Sequence, residues 1–220
     1  MKNIVVVAPH PDDETLGCGG TLLKHIDNGD SVHWVIVSGM TDELYSNEQI
    51  NIRSREIKKV SDLFGFKSTH KLNYPVSKLE TVPKDIIIKK LGDLFSLIEA
   101  EVIYTVFRND AHSDHRIVFD CVLSATKTFR HPSIRKFLSF ETISETEFSN
   151  PFASGFRPNV FVNIEKYLEQ KIEIFSVYES EIGKFPFPRS PEAIRSLTSL
   201  RGVQSGCKAA EAFMLIKEIK

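Results

Sequence analysis

Short apolar runs and longer amphipathic stretches take turns along the first two thirds of this chain. Ile4–Ala8 is apolar throughout and mostly β-branched, the pattern of a strand buried on both faces of a parallel sheet. A helix follows from about Glu14 to Asp27 and stops at Asn28-Gly29-Asp30. Val32–Val37 repeats the strand pattern, and Ser38–Tyr45 reads as the loop at its C-terminal end. From Asn47 to Phe64, apolar Ile50, Ile57, Val60, Leu63 and Phe64 recur near helical spacing, with Gly65 as the stop. Lys71–Tyr74 reads as a short strand, Asp85–Leu97 as a helix, Val102–Phe107 as a strand and Asp114–Phe129 as a helix. This alternation predicts an α/β fold, a three-layer sandwich around a mostly parallel sheet.

Beyond Pro132 the alternation loosens. Arg135–Glu141 and Asn159–Val162 read as strands and Ile164–Tyr178 as a helix, while the Pro-rich Gly183–Pro191 reads as a surface loop. Ser190-Pro191-Glu192 starts a further helix, with Ser at the N-cap and Pro in the first helical position. No repeat, low-complexity tract or linker marks a second domain, so one domain over residues 1–220 is expected.

Composition narrows the field without choosing a function. A hydrophobic fraction of 41% supplies a substantial core, and a net charge of -1 gives no reason to expect nucleic acid or an anionic membrane as partner. The first apolar run is far shorter than the ~20 residues that span a bilayer, and too short for the apolar segment of a signal peptide. Three widely spaced cysteines form neither a disulfide framework nor a CxxC motif, and a cytoplasmic address is expected.

Two clusters carry the candidate chemistry. His10-Pro11-Asp12-Asp13-Glu14 follows the first strand, and His112-Ser113-Asp114-His115 lies just beyond Val102–Phe107. Ligands of doubly wound sheets bind beyond the C-terminal strand ends, so the clusters are expected to meet in space. Zinc in hydrolases takes three N and O ligands and leaves a place for water, a set that His10, Asp13 and His115 would supply. Asp12 and Asp13 are neighbours in a turn, so one ligates while the other accepts the proton from water. Each cluster alone has a plainer reading as a turn with an aspartate helix cap. Their joint occurrence, each after a β-branched strand, favours the metal site.

Gly17-Cys18-Gly19-Gly20-Thr21-Leu22 lacks the last glycine of a dinucleotide motif, and Asp12, Asp13 and Glu14 would repel a pyrophosphate. No GxSxG is present. Cys18 reads as a small packing residue rather than a nucleophile, and His25, His33, His70 and His131 stand outside the clusters.

Several segments together resemble the LmbE-like (PIG-L-type) family of metal-dependent N-deacetylases. They are Pro9–Gly20 (PHPDDETLGCGG), Arg53-Ser54-Arg55-Glu56 before a helix ending Leu63-Phe64-Gly65, His112–Arg116 (HSDHR), Arg201-Gly202 and Glu211-Ala212-Phe213. The resemblance covers most of the chain. It implies a Rossmann-like domain with zinc at the strand ends, and removal of acetyl groups from N-acetylglucosamine-containing glycolipids, glycosides or thiol precursors. By position it makes His10, Asp13 and His115 the metal ligands and Asp12 the general base. His112 would stabilise the tetrahedral oxyanion, and Asp114 would orient the His112 imidazole. Arg53 matches the arginine associated with the sugar, with Arg55 close enough to leave the choice open. A His/Asp/His set accepts Fe2+, cobalt or manganese as well as Zn2+. Trimers or hexamers are common in the family, so a homo-oligomer is implied.

Two positions depart from the pattern. Asp110 stands where some sugar deacetylases carry a tyrosine, and Cys207-Lys208-Ala209-Ala210 replaces a tyrosine-containing stretch before Glu211. The expected reaction is hydrolysis of an N-acetyl sugar conjugate. Hydrolysis of another amide, ester or phosphoester bond, and non-catalytic sugar binding on the same fold, are the competing readings.

Overall fold

The apolar runs of the N-terminal half lie side by side in the computed structural model, which covers residues 1–220. In chain order the elements are β1 (Asn3–Ala8), α1 (Asp13–Asp27), β2 (Ser31–Gly39), α2 (Asn47–Phe64), β3 (Ser68–Pro75), α3 (Lys84–Ile98), β4 (Val102–Val106), α4 (Ser113–Ala125), β5 (Lys136–Phe140), β6 (Val160–Asn163), α5 (Leu168–Phe175), α6 (Pro191–Ser205) and β7 (Ala210–Glu218). The strands form one sheet in the order β3-β2-β1-β4-β5-β7-β6. β1 to β5 pair in parallel, while β7 runs antiparallel between β5 and β6.

Alternate residues of β1 feed two separate cores. Ile4, Val6 and Ala8 pack with Leu16 and Leu22 of α1, Val60 and Phe64 of α2, Phe175 of α5 and Ile194 of α6. Val5 and Val7 pack with Leu91 and Phe95 of α3 and with Val118 and Val122 of α4. The result is the expected three-layer α/β sandwich. The strand order reverses between β1 and β4, and the cleft at that reversal is where this class of sheet binds ligands.

Local signals set several element ends. Ser46 caps α2 by accepting from the Gln49 N–H, and the Gln49 side chain accepts from the Ser46 N–H in return. Gly65 ends α2 at φ 78°, a left-handed conformation that costs glycine little. Ser190 accepts from the Ala193 N–H at 3.2 Å ahead of Pro191, as its sequence predicts.

Four elements differ from the apolar pattern, and the first is β3, which spans Ser68–Pro75 rather than Lys71–Tyr74. α4 stops at Ala125 rather than Phe129, whose ring extends the pattern but is 76% exposed beyond the last turn. Residues 164–178 contain only the shorter helix α5, flanked by turns. The C-terminal strand β7 is not anticipated, because Glu211 interrupts its apolar run. No helix is long and apolar enough to cross a membrane.

Candidate metal centre

β1 and β4 end beside each other, and the loops that leave them bring His10, Asp13 and His115 together. Their ligand atoms all lie within 4.8 Å of one another. Asp13 sits between the rings, with Oδ2 3.3 Å from His10 Nδ1 and Oδ1 3.3 Å from His115 Nε2. The opposite nitrogen of each imidazole meets a fully buried carboxylate. His10 Nε2 lies 3.0 Å from Asp114 Oδ2, and His115 Nδ1 lies 2.8 Å from Asp110 Oδ2. Such carboxylate–histidine pairs fix the tautomer and aim the free nitrogen at a metal.

The electrostatics fit a cation at this point. Burial works against charge on His10, but hydrogen bonds to Asp114 and Asp13 outweigh it and raise its pKa to about 9. His115 is likewise buried, yet Asp13 and Asp110 hold it well above the usual imidazole range. Burial would raise Asp13, but the two histidines hold it far below the carboxylate range. Protons on the rings thus balance the Asp13 charge, and a divalent ion would replace them. A second group, His10, His112 and Asp114, is equally compact but less suited. The Asp114 oxygens already accept from the Ser77 and Leu79 N–H groups, and His112 Nδ1 accepts from the Asp114 N–H at 3.1 Å.

That contact differs in kind from the one expected of Asp114: its carboxylate meets His10, and its backbone N–H is the group that reaches His112. A fixed N–H donor on Nδ1 leaves the neutral His112 proton on Nε2. Burial, helped by His10 and His115, pushes the His112 pKa down to about 4 and keeps the ring neutral.

Asp12 occupies an uncommon backbone conformation, φ 138° and ψ −31°, at the start of α1. Non-glycine residues in such regions cost on the order of 1–3 kcal/mol and cluster at functional sites. Its N–H donates to Glu14 Oε2 at 3.0 Å, and the Thr15 and Leu16 N–H groups bond its carbonyl. Burial, with Asp13 and Glu181 nearby, pushes the Asp12 carboxyl well up, and Arg189 Nη1 lies 3.3 Å from its Oδ2.

A cavity of about 310 Å³ opens over this cluster, lined also by His112, Arg53, Glu145, Glu181 and Arg189. Ser38, Gly39, Met40 and Tyr45 from the loop after β2 line it too. Arg53 is buried, donating to Glu181 Oε1 at 2.5 Å and to the Pro11 carbonyl at 3.2 Å. Arg55 is exposed and does not line the cavity, whereas Arg53 does. His25, His33, His70 and His131 all lie outside the cavity lining. Cys18 is fully buried, its thiol 3.4 Å from the Glu14 carbonyl.

Four further side chains support the cluster. Asp110 was visible only as a departure from a family tyrosine. Glu14, fully buried and pushed up to about 7 by burial, accepts from the Tyr178 hydroxyl at 3.1 Å and pins the Asp12 backbone. Glu145 accepts from the His112 N–H at 3.1 Å, and Arg189 bridges Glu181 and Asp12. Glu145 and Arg189 come from irregular segments where no periodicity marks a role.

Fold and cluster together define a Rossmann-like α/β protein with a candidate metal centre at the switch point of its sheet. The chain belongs to the PIG-L family, described as GlcNAc-PI de-N-acetylase, whose profile matches residues 5–126. It is 25% identical to diacetylchitobiose deacetylase from Thermococcus kodakarensis, over 100% of this chain and 85% of that protein. Its fold is similar to N,N'-diacetylchitobiose deacetylase from Pyrococcus horikoshii, with TM-score 0.81 and 22% identity over 98% of this chain and 84% of that one. It is also similar to a 4-carboxy-2-hydroxymuconate hydratase from Pseudomonas putida, with TM-score 0.76 and 18% identity over 100% and 98%. Fold alone therefore does not select the reaction.

Proposed function

We propose that this chain is a divalent-metal-dependent N-deacetylase that hydrolyses the acetamido group of an N-acetylglucosamine-type sugar conjugate, with Zn2+ or Fe2+ as the ion. The observation that carries the reading is the pairing of each cluster histidine with a buried carboxylate, next to an aspartate that is not part of the ligand set. His10, Asp13 and His115 would hold the ion. When bound, it would lower the pKa of water from about 15.7 to about 7 and polarise the acyl oxygen.

The other steps fall to the protein. Asp12, held in place by the Glu14 carboxylate at its N–H, accepts the proton of the attacking water. His112 turns Nε2–H toward the cavity and stabilises the oxyanion, a type of donor whose removal costs ~10²–10³ in rate. Asp12 or His112 returns a proton to the leaving amine. Arg53, clamped by Glu181, forms part of the wall against which the sugar rests.

Metal analysis and acetate release from N-acetylglucosamine conjugates test this directly. Asp12→Ala is expected to keep its metal and lose about 10²–10⁴-fold in turnover, whereas His115→Ala loses both. Full activity in Asp12→Ala would overturn the assignment of the base. Failure to bind any divalent ion would overturn the reading as a whole.

A further inference from the structure

Asp12 and Asp13 are adjacent buried carboxylates beside one cluster, yet only Asp13 belongs to the ligand set. A divalent ion attracts either of them, so something must assign the two roles. Asp13 is held toward the cluster by three contacts, the His10 N–H at 2.9 Å and the two imidazoles at 3.3 Å. The Asp12 carboxylate makes a single hydrogen bond, accepted by its Oδ2 from Arg189 Nη1 at 3.3 Å.

Arg189 is itself fixed from several sides. The same Nη1 donates to Glu181 Oε2 at 2.8 Å, so each carboxylate takes one hydrogen of that amino group. Glu181 is anchored in turn, its Oε1 accepting from Arg53 Nη2 at 2.5 Å and from the Ser180 hydroxyl at 2.9 Å. The Arg189 guanidinium lies over the Phe187 ring, 5.6 Å from its centre. The next residue, Ser190, is fully buried as the cap of α6, which locates the Arg189 backbone. Arg53 also donates to the carbonyl of Pro11, immediately before Asp12. The contacts from Arg53 through Glu181 and Arg189 thus grip Asp12 at its carboxylate and at the peptide ahead of it.

We propose that Arg189 is a positioning residue that holds the Asp12 carboxylate off the metal, so that Asp12 stays a base and does not become a further ligand. Without Arg189, Asp12 is a buried carboxylate with no side-chain partner beside a divalent cation, and ligation is its route to a counter-charge. The inference rests on the metal part of the deacetylase reading and not on which bond is hydrolysed.

The test is the Zn2+ affinity of the full chain, read by competition with a chelator, which requires no turnover. Affinity follows the number and charge of the ligands, so Arg189→Gln is expected to bind Zn2+ about tenfold more tightly. A merely disturbed site would bind it more weakly. Arg189→Met, which keeps an apolar stem over Phe187, should behave like Arg189→Gln, and Arg189→Lys like the natural protein. Loss of a nearby positive charge also favours a cation, and the Asp12→Ala background separates the two causes. There the gain should vanish, because no carboxylate remains to be recruited. Acetate release by Arg189→Gln is expected to fall about 10²-fold with KM nearly unchanged, as for a base taken out of play. Unchanged or weaker Zn2+ binding in Arg189→Gln overturns the proposal, as does a gain that persists in the Asp12→Ala background. A natural protein that binds no Zn2+ removes the metal reading and the proposal with it. An Asp12-dependent gain in a protein that releases no acetate would sink the deacetylase reading and leave the role of Arg189 standing.

Discussion

Asp114 serves two histidines through two different groups, and the difference is measurable. Its carboxylate meets His10 at 3.0 Å and its N–H meets His112. Asp114→Asn removes the negative charge behind His10 while leaving the backbone contact to His112 intact. Outer partners of metal-ligating histidines typically contribute 10–100-fold to affinity, so divalent-metal affinity should fall by about that factor. Activity should return when the ion is supplied in excess. A variant with unchanged metal affinity but slow turnover at saturating metal would instead place the carboxylate's role at His112. The same titration on Asp110→Asn is expected to give a loss of similar size, because Asp110 stands behind His115 as Asp114 stands behind His10.

At the scale of elements, close approach explains the glycine-rich start of α1. A Cβ on Gly17 would lie 2.0 Å from Phe140 Cδ2, inside the ring's own volume at the end of β5. Phe140 is fully buried and has no room to retreat. Gly17→Ala should therefore cost about 1–3 kcal/mol or more, read as a fall of several degrees in the thermal midpoint. An unchanged midpoint would mean that the α1–β5 contact is looser than this geometry. The strands from β1 to β5 and the helices between them are legible in the chain because each buries an uninterrupted or regularly spaced apolar set. The two candidate clusters stand out because each lies between such a strand and the first turn of the helix that follows it. β7 and the bend inside α1 at Cys18, with φ −143°, are not. Both involve Glu211, a charged residue that local pattern places at the surface and the fold buries against the Gly20 and Thr21 N–H groups. Arg189 and Glu145 are hidden for a related reason, since their roles come from long-range contacts in segments without period.

Across the whole molecule, one buried ion pair ties the site-bearing helix to the C-terminal part of the sheet. Glu211 on β7 accepts from the Gly20 and Thr21 N–H groups at 2.9 and 2.7 Å, serving the donors that the bend in α1 sets free. Lys171 on α5 donates to Glu211 Oε1 at 2.6 Å and to the Leu16 carbonyl at 2.8 Å, on the other side of the same bend. Both side chains are only 2% exposed. Breaking such a pair strands one charge in the core, at a typical cost of about 3–5 kcal/mol. Lys171→Met should lose that much in denaturant unfolding. Glu211→Gln should lose a comparable amount, because the buried Lys171 ammonium then faces no opposite charge. In the double variant neither charge remains, and the glutamine amide oxygen still serves an N–H of the bend. Its loss should fall well below the sum of the single losses, leaving a coupling energy of a few kcal/mol in the cycle. Additive losses would show that the two residues act separately. The bend would then be held by the Glu211 cap alone, with no contribution from α5.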